Sequence, residues 1–251
     1  MPTRNDNTRP SFHEGPASLS DHPLNPSLSC PLCSSRFVNE HSRDARREYL
    51  LCSACGLVFV PSRYFLSPED EKKRYDLHRN SPDDRGYRRF LERLLHALHP
   101  RLAPASSGLD FGSGPEPLLA AVFREAGHAM TIYDPFYEPA PAALGRQYDF
   151  ITASEVVEHL REPGRELDRL WNCLKPGGLL GIMTQPIVDR DAFPRWHYKN
   201  DLTHICFFSP GTFRLLAERW HAEIEFPEKD IAVFRKPKIN TGNQIINAEE
   251  P

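Results

Sequence analysis

From Leu109 to Lys236, apolar runs of strand length alternate with segments of helical period, and this alternation constrains the fold more than any other feature. "GLDFG" reads as a strand entering a tight turn, "PLLAAVFREAG" as a helix stopped at Gly127, "AMTIYD" as a second strand and "YDFITAS" as a third. "PGRELDRLWNCLKPGG" then reads as a helix with a glycine stop and "LLGIMT" as a strand. "SPGTFRLLAERW" follows as a helix, with "AEIEF" and "IAVFRK" as the final pair. The expected class is α/β, a Rossmann-like doubly wound and mostly parallel sheet with helices on both faces.

The 251 residues leave room for a small appendage beside that sheet, and 39% apolar residues suffice for a real core. A formal charge of −3 gives no global attraction to nucleic acid or to an anionic membrane. No apolar run nears the ~18 residues of a membrane span, and "MPTRNDNTRPSFHEG" lacks an apolar signal core. The expectation is a cytoplasmic protein with no membrane partner. Residues 1–27 lack hydrophobic period and are expected to be a disordered tail, as residues 237–251 are expected to be a mobile one.

The cysteines are placed for metal rather than for disulfides. Cys30 and Cys33 form one Cys-x-x-Cys knuckle, Cys52 and Cys55 another, while Cys173 and Cys206 stand alone in apolar surroundings. The β-prone pieces "REYLL" and "GLVFV" follow the knuckles, so residues 28–63 read as a zinc ribbon in which four thiolates replace a core too small to fold alone. Arg43, Arg46 and Arg47 form a basic cluster, but Glu40, Asp44 and Glu48 interleave with it. A solvated or structural surface is favoured over a phosphate track.

Residues 64–104 read as a helical connector or lid. Ser67-Pro68-Glu69-Asp70 and Ser81-Pro82-Asp83-Asp84 each place a capping serine before proline and acids. The second helix carries a stripe of Tyr87, Phe90, Leu91, Leu94, Leu95 and Leu98, expected to pack on the domain at 105–236. Tyr75, His78, Asn80 and Tyr87 line either that packing or a substrate mouth, with core packing favoured.

The turn "LDFGSGPEP" narrows the chemistry. Asp110 ends the first strand, Gly112 and Gly114 follow, and Asp134 ends the second strand, where an acid accepts ribose hydroxyls. Glu116 at the helix start suits the dipole but repels a pyrophosphate. A cationic sulfonium donor with no phosphate, S-adenosylmethionine, fits an acid-lined turn better than NAD does.

"LDFGSG", "YD", "YDFITASEVVEHL", "LKPGGLLGIMT" and "THICFFSP" together resemble a class I S-adenosylmethionine-dependent methyltransferase, more narrowly the group of ubiquinone-pathway O-methyltransferases. The likeness spans roughly residues 85–236. It implies that Asp110, Gly112, Ser113 and Gly114 form the donor loop, that Asp134 holds the ribose, and that Thr152, Ala153, Ser154 and Glu155 lie beside the methionine end. Two departures stand out. Glu116 and Pro117 replace small residues, and only fourteen residues separate Asp134 from Asp149. That interval is too short for the usual helices and edge strand, so the third strand is expected to be lost or shortened. Either donor binding is then weaker, or Phe136 and Tyr137 supply the adenine contact by stacking.

Glu155, Glu158 and His159 fall on one face if the chain is helical there, and His204 follows in "NDLTHICFFSP". The set resembles that of metal-assisted O-methyltransferases, including small-RNA terminal methyltransferases, which implies a divalent ion such as Mg2+ at Glu155, Glu158, His159 and His204. The competing reading is hydrogen bonding within the fold. Without a metal, His204 is the first choice of base, with His197 and Asp201 behind it, and Trp196, Tyr198 and Phe207 are candidates for an acceptor wall. The expectation is a methyltransferase acting on a hydroxyl of a small or medium-sized acceptor, with carbon and nitrogen acceptors open. Sugar C-methyltransferases, which also begin with a cysteine-rich zinc module, compete for substrate class. The same residues would also suit an RNA methyltransferase that grips its substrate through the ribbon, or a non-catalytic interaction module with a degenerate cofactor fold.

Overall fold

The computed structural model describes residues 28–77 and 84–238. The expected tail at 1–27, most of that at 237–251, and the expected cap at Ser81 lie outside the described residues, as do His78 and Asn80.

Among the described residues, ten strands form two sheets. The larger takes β4 (Ser107–Phe111), β5 (Ala129–Tyr133), β6 (Tyr148–Ser154), β7 (Leu174–Met183), β9 (Glu223–Glu228) and β10 (Ile231–Arg235) in the order β5-β4-β6-β7-β10-β9. Pairing is parallel from β5 to β7 and antiparallel for β10 against β7 and β9. β4 and β6 are buried along most of their lengths because helices cover both faces, which explains their continuous apolar runs. The first strand of the nucleotide-type motif thus lies near the centre, and the order reverses beside it, creating the crevice in which such folds bind ligands.

No strand lies outside β5 among the described residues. The short Asp134–Asp149 interval instead holds a bridge between Asp134 and Glu138 and a 3-10 stretch, Pro141–Gly145, which buries Ala143 and Leu144. The third strand of the fold is therefore missing, as the chain length between the two acids requires.

Helices α2 (Arg85–Leu98) and α3 (Leu118–Glu125) cover one face, where Leu91, Leu94, Leu98 and Phe123 pack with Phe150 and Met183. The other face receives α4 (Pro163–Asn172) and α5 (Pro210–Trp220), whose Trp171 and Trp220 stack with ring centroids 4.7 Å apart. Ser67 caps α1 (Pro68–Tyr75) as expected. The α2 cap differs from expectation. It is Asp84, which accepts from the backbone N–H groups of Gly86 and Tyr87 at 2.7 and 3.1 Å.

A second correction concerns "CLKPGG", expected to end a helix at its glycines. α4 stops at Asn172, and the Cys173 carbonyl accepts from the Tyr148 N–H at 2.8 Å. That bond draws the chain into the sheet early, so Leu174 already pairs with Tyr148, and Lys175–Gly178 bulge out before Leu179 meets Phe150.

The smaller sheet joins β1 (Val38–Arg43), β2 (Glu48–Cys52) and β3 (Val58–Phe59) in antiparallel order, with a fourth strand, β8 (Cys206–Phe207), supplied from the far end of the chain. Tyr49 and Phe207 both pack edge-on against Phe193 across this junction. The cysteine-bearing segment therefore shares its sheet and its core with the α/β part.

Candidate active site

Where β4 ends, the backbone turns through Gly112 and Gly114, with φ of +76° and +66°. A side chain on Gly112 would collide with Val156, so both conformation and space demand glycine there. Gly114 differs, having open space where a Cβ would stand. Its N–H donates to one oxygen of Asp134 at 2.9 Å, while the other oxygen accepts from Phe136 and Tyr137 N–H groups at 2.8 and 3.1 Å. A carboxylate has about four lone-pair directions, so three backbone donors lock Asp134 in place and leave acceptor capacity for a ligand. Ser113 is half-buried in the turn, its N–H tied to the Tyr133 carbonyl at 3.2 Å.

Asp110 is buried at the end of β4. It is 3% exposed, and its carboxylate accepts from the Thr152 hydroxyl at 2.9 Å. Burial pushes its pKa up to about 6, although the Thr152 bond opposes this. Thr152 and Ala153 are fully buried inside β6. Ser154 is half-buried at the strand end, and its hydroxyl oxygen has no partner among the described residues. Phe136 is half-buried next to Asp134, its ring 5.7 Å from that of Tyr75.

Beyond β6 the chain does not form the expected helix. Glu155 adopts a left-handed backbone with φ of +53°, and one 3-10 turn, Val157–His159, follows. This irregular corner still brings the acids together. Glu158 is fully buried and accepts from the Thr184 hydroxyl at 2.9 Å and from the Tyr198 hydroxyl. The Tyr198 hydroxyl also lies 3.1 Å from Glu155. Ligand atoms of Glu158, His159 and His204 lie within 4.8 Å of one another. Both imidazoles are oriented by backbone carbonyls: Nδ1 of His159 faces Thr203 O at 3.1 Å and Nδ1 of His204 faces Tyr198 O at 2.8 Å.

The electrostatics follow from burial. Burial, then the neighbouring Glu158, pushes Glu155 up to about 8, and burial likewise raises Glu158. Burial and His159 hold His204 below its ordinary value, so its imidazole is neutral near pH 7. Asp201 is half-buried. Burial works against its charge, but the Thr203 amide and hydroxyl outweigh it and keep the carboxyl below its usual range.

The model of the methyltransferase domain family matches residues 84–224, more than half of the chain. The chain belongs to the methyltransferase domain family. Its fold resembles that of the Burkholderia thailandensis 1,6-didemethyltoxoflavin-N1-methyltransferase solved with 1,6-didemethyltoxoflavin and S-adenosylhomocysteine. The identity is 17%, the TM-score 0.51, and the match covers 80% of this chain and 100% of that one. Looser likenesses are the N-methyltransferase NodS from Bradyrhizobium japonicum (14% identity, 68% and 98% coverage, TM-score 0.40) and human N-acetylserotonin methyltransferase (16%, 59% and 52%, TM-score 0.43). A search of curated proteins found no match.

In this methyltransferase, most of the candidate residues fall into two groups. Gly112, Gly114, Asp134 and Phe136 meet around the turn, and Glu158, His159 and His204 meet at the neighbouring corner, with Glu155 joined to it through the Tyr198 hydroxyl. His197 is exposed and outside the Glu158–His159–His204 cluster, because its 3-10 turn directs Tyr198 inward instead. Phe207 is 1% exposed in the β3–β8 junction, a core residue rather than an acceptor wall. Two aromatic residues expected mainly to pack stand at the site. Tyr87 has its phenol pushed up to about 12 by burial, then by Asp110 and Glu155, and Tyr75 lies edge-on to His159 at 5.3 Å. The hydroxyls of Thr184 and Tyr198 carry no motif signal, since neither belongs to a spacing pattern.

Cys30, Cys33, Cys52 and Cys55 also converge. Sγ atoms of Cys30 and Cys55 are 3.5 Å apart, those of Cys33 and Cys52 3.6 Å, and all four lie within 4.8 Å of one another. Zn–S bonds of about 2.3 Å in a tetrahedron place sulfurs roughly 3.8 Å apart, so the cluster fits Zn2+. Contact with Cys52 raises the Cys30 thiol and contact with Cys30 raises that of Cys55. A dication would relieve that crowding of sulfurs.

Proposed function

We propose that the protein transfers a methyl group from S-adenosylmethionine to a hydroxyl of a small or medium-sized acceptor, with a divalent cation such as Mg2+ held by Glu155, Glu158, His159 and His204. The turn supports the donor: Asp134 would take the ribose, Phe136 the adenine face, and Gly114 and Ser154 the methionine end. The observation that carries the cation is the pair of glutamates around one phenol. Tyr198 has a single proton, yet its oxygen stands between Glu155 and the fully buried Glu158. A fully buried acid and a half-buried one so placed need either an added proton or a cation.

A bound cation there would lower the pKa of an acceptor hydroxyl. The chain's own residues supply the remainder. Tyr75, edge-on to both Phe136 and His159, would border the acceptor where the donor turn meets the corner. The acceptor oxygen forms its bond to the methyl carbon as the carbon–sulfur bond breaks, and the hydroxyl proton leaves to a base. Asp201 is the carboxylate beside His159 and His204 when His204 is a ligand, a weak base because the Thr203 amide and hydroxyl hold its pKa low. In a cation-free version, the neutral His204 is the base, which its lowered pKa favours.

Neither version calls for nucleic acid. Arg43 pairs with Glu40 and Glu48, Arg46 with Asn200, and Arg47 is 2% exposed, so each arginine of the cluster already has partners within the chain. The decisive experiment measures transfer of labelled methyl to a panel of hydroxyl compounds after chelation and after re-addition of Mg2+ or Mn2+. Activity restored by the ion and absent from E158Q supports the cation. Full activity in chelator, with His204→Ala inactive, moves the assignment to His204 as base.

A further inference from the structure

The β1–β2 turn of the cysteine unit reaches the segment that carries Tyr198 and His204. Asp44 shapes that turn by accepting from the backbone N–H groups of Arg46 and Arg47 at 2.8 and 3.0 Å. Arg47 then points inward. Its guanidinium donates to the Tyr49 hydroxyl at 3.1 Å and to three main-chain carbonyls, those of Lys199 at 2.7 Å, Asp201 at 2.8 Å and Leu202 at 3.1 Å. Lys199, 4% exposed, returns the contact by donating to Asp44 at 2.7 Å. Arg46 holds Asn200 through both its carbonyl and its side chain.

This is an unusual use of a buried arginine. Residues 199–202 belong to no strand or α-helix, and buried carbonyls without ladder partners need other donors. A planar guanidinium serves three of them at once, which a lysine ammonium cannot do in the same geometry. The segment thus secured is flanked by functional groups. On one side the Tyr198 hydroxyl bridges Glu155 and Glu158, and on the other His204 donates back to the Tyr198 carbonyl. One step further, Ile205 N–H donates to the Glu158 carbonyl at 2.8 Å, and Val60 N–H of the cysteine unit to the Ile205 carbonyl at 2.9 Å.

We infer that Arg47 is a positioning residue for the Glu155–Glu158–His159–His204 cluster, so that the cysteine unit builds the active site instead of gripping a substrate. The inference rests on the cation reading above, and its test separates the two. Full-length wild type and R47K are titrated with Mn2+ alone and, separately, with S-adenosylmethionine, and their histidine side chains are followed by 15N NMR. R47K keeps a positive charge beside the Tyr49 hydroxyl and is the variant expected to fold, while R47A provides the larger perturbation where it folds too. The expected result is a loss of Mn2+ affinity of roughly 10- to 100-fold, with donor affinity within about twofold of wild type, an effect that a general loss of stability would not confine to one ligand. Unchanged Mn2+ affinity in folded R47K overturns the inference. A wild type that takes up no Mn2+ defeats the cation reading alone, and the spectra then decide Arg47. His204 held as the Nδ1–H tautomer in wild type and averaging between tautomers in R47K supports the role, and identical His204 signals in both proteins overturn it.

Discussion

The Tyr198 hydroxyl donates to the Glu158 carboxylate at the floor of the site, where Glu158 has no exposure to solvent. Tyr198→Phe leaves Thr184 as the remaining hydroxyl donor to that acid. Leaving a buried acceptor underserved costs about 1–3 kcal/mol, and each kcal/mol lowers Tm by roughly 2–4 °C in a chain of this size. Calorimetric melting of Y198F should show that loss with donor binding intact. An unchanged Tm together with unchanged turnover would remove Tyr198 from the site.

Asp134 is held by three backbone amides at the end of β5 with acceptor capacity to spare. Asp134→Ala should weaken S-adenosylhomocysteine binding by about 10- to 100-fold, or roughly 1.4–2.7 kcal/mol, and loosen the Gly114 turn. Isothermal titration reads the first effect. Equal affinity in D134A would mean that the donor lies elsewhere.

Asp110 carries a pH dependence with a definite sign. Burial raises its pKa from 3.8 to about 6 in the folded chain. Between those values the folded state keeps a proton that the unfolded state has released, so stability on its account is full below pH 3.8 and declines as pH rises toward 6. The span amounts to about 3 kcal/mol. Asp110→Asn should flatten that part of the pH–stability curve, and a slope identical to wild type would contradict the assignment.

The cysteine cluster is coupled to the catalytic half through shared backbone. Gly164 at the start of α4 donates to the Pro31 carbonyl at 3.1 Å, and a Cβ on Gly164 would collide with the Leu32 carbonyl. Zinc analysis should find about one ion per chain, and its removal should lower Tm, since a structural zinc contributes on the order of 10 kcal/mol to folding. Gly164→Ala should reproduce part of that loss by pushing the knuckle off α4. A chelated protein with wild-type melting and turnover would make the cysteines dispensable.

Much of the architecture was legible because it rests on local pattern. Strand-length apolar runs separated by helical segments specify crossovers, two Cys-x-x-Cys pairs specify a four-sulfur cluster, and fourteen residues between two acids leave no space for a third strand. The helix end at "CLKPGG" shows the limit: Cys173 is claimed by Tyr148, a partner twenty-five residues earlier, and no local signal announces that bond. Asp110 reads as a ligand from its place in the turn, yet the Thr152 hydroxyl on a neighbouring strand draws it inside.

The sequence by itself determined which chemical groups this methyltransferase carries and which short stretches present them, since periodicity, capping and knuckle spacing act among near neighbours. Only the tertiary structure decided that Glu158 and His204 share one corner, that β8 completes the cysteine unit's sheet, and that Arg47 braces the Tyr198–His204 segment. Those relations depend on strand register and on buried carbonyls finding donors more than a hundred residues away, and such long-range satisfaction leaves no trace in local spacing.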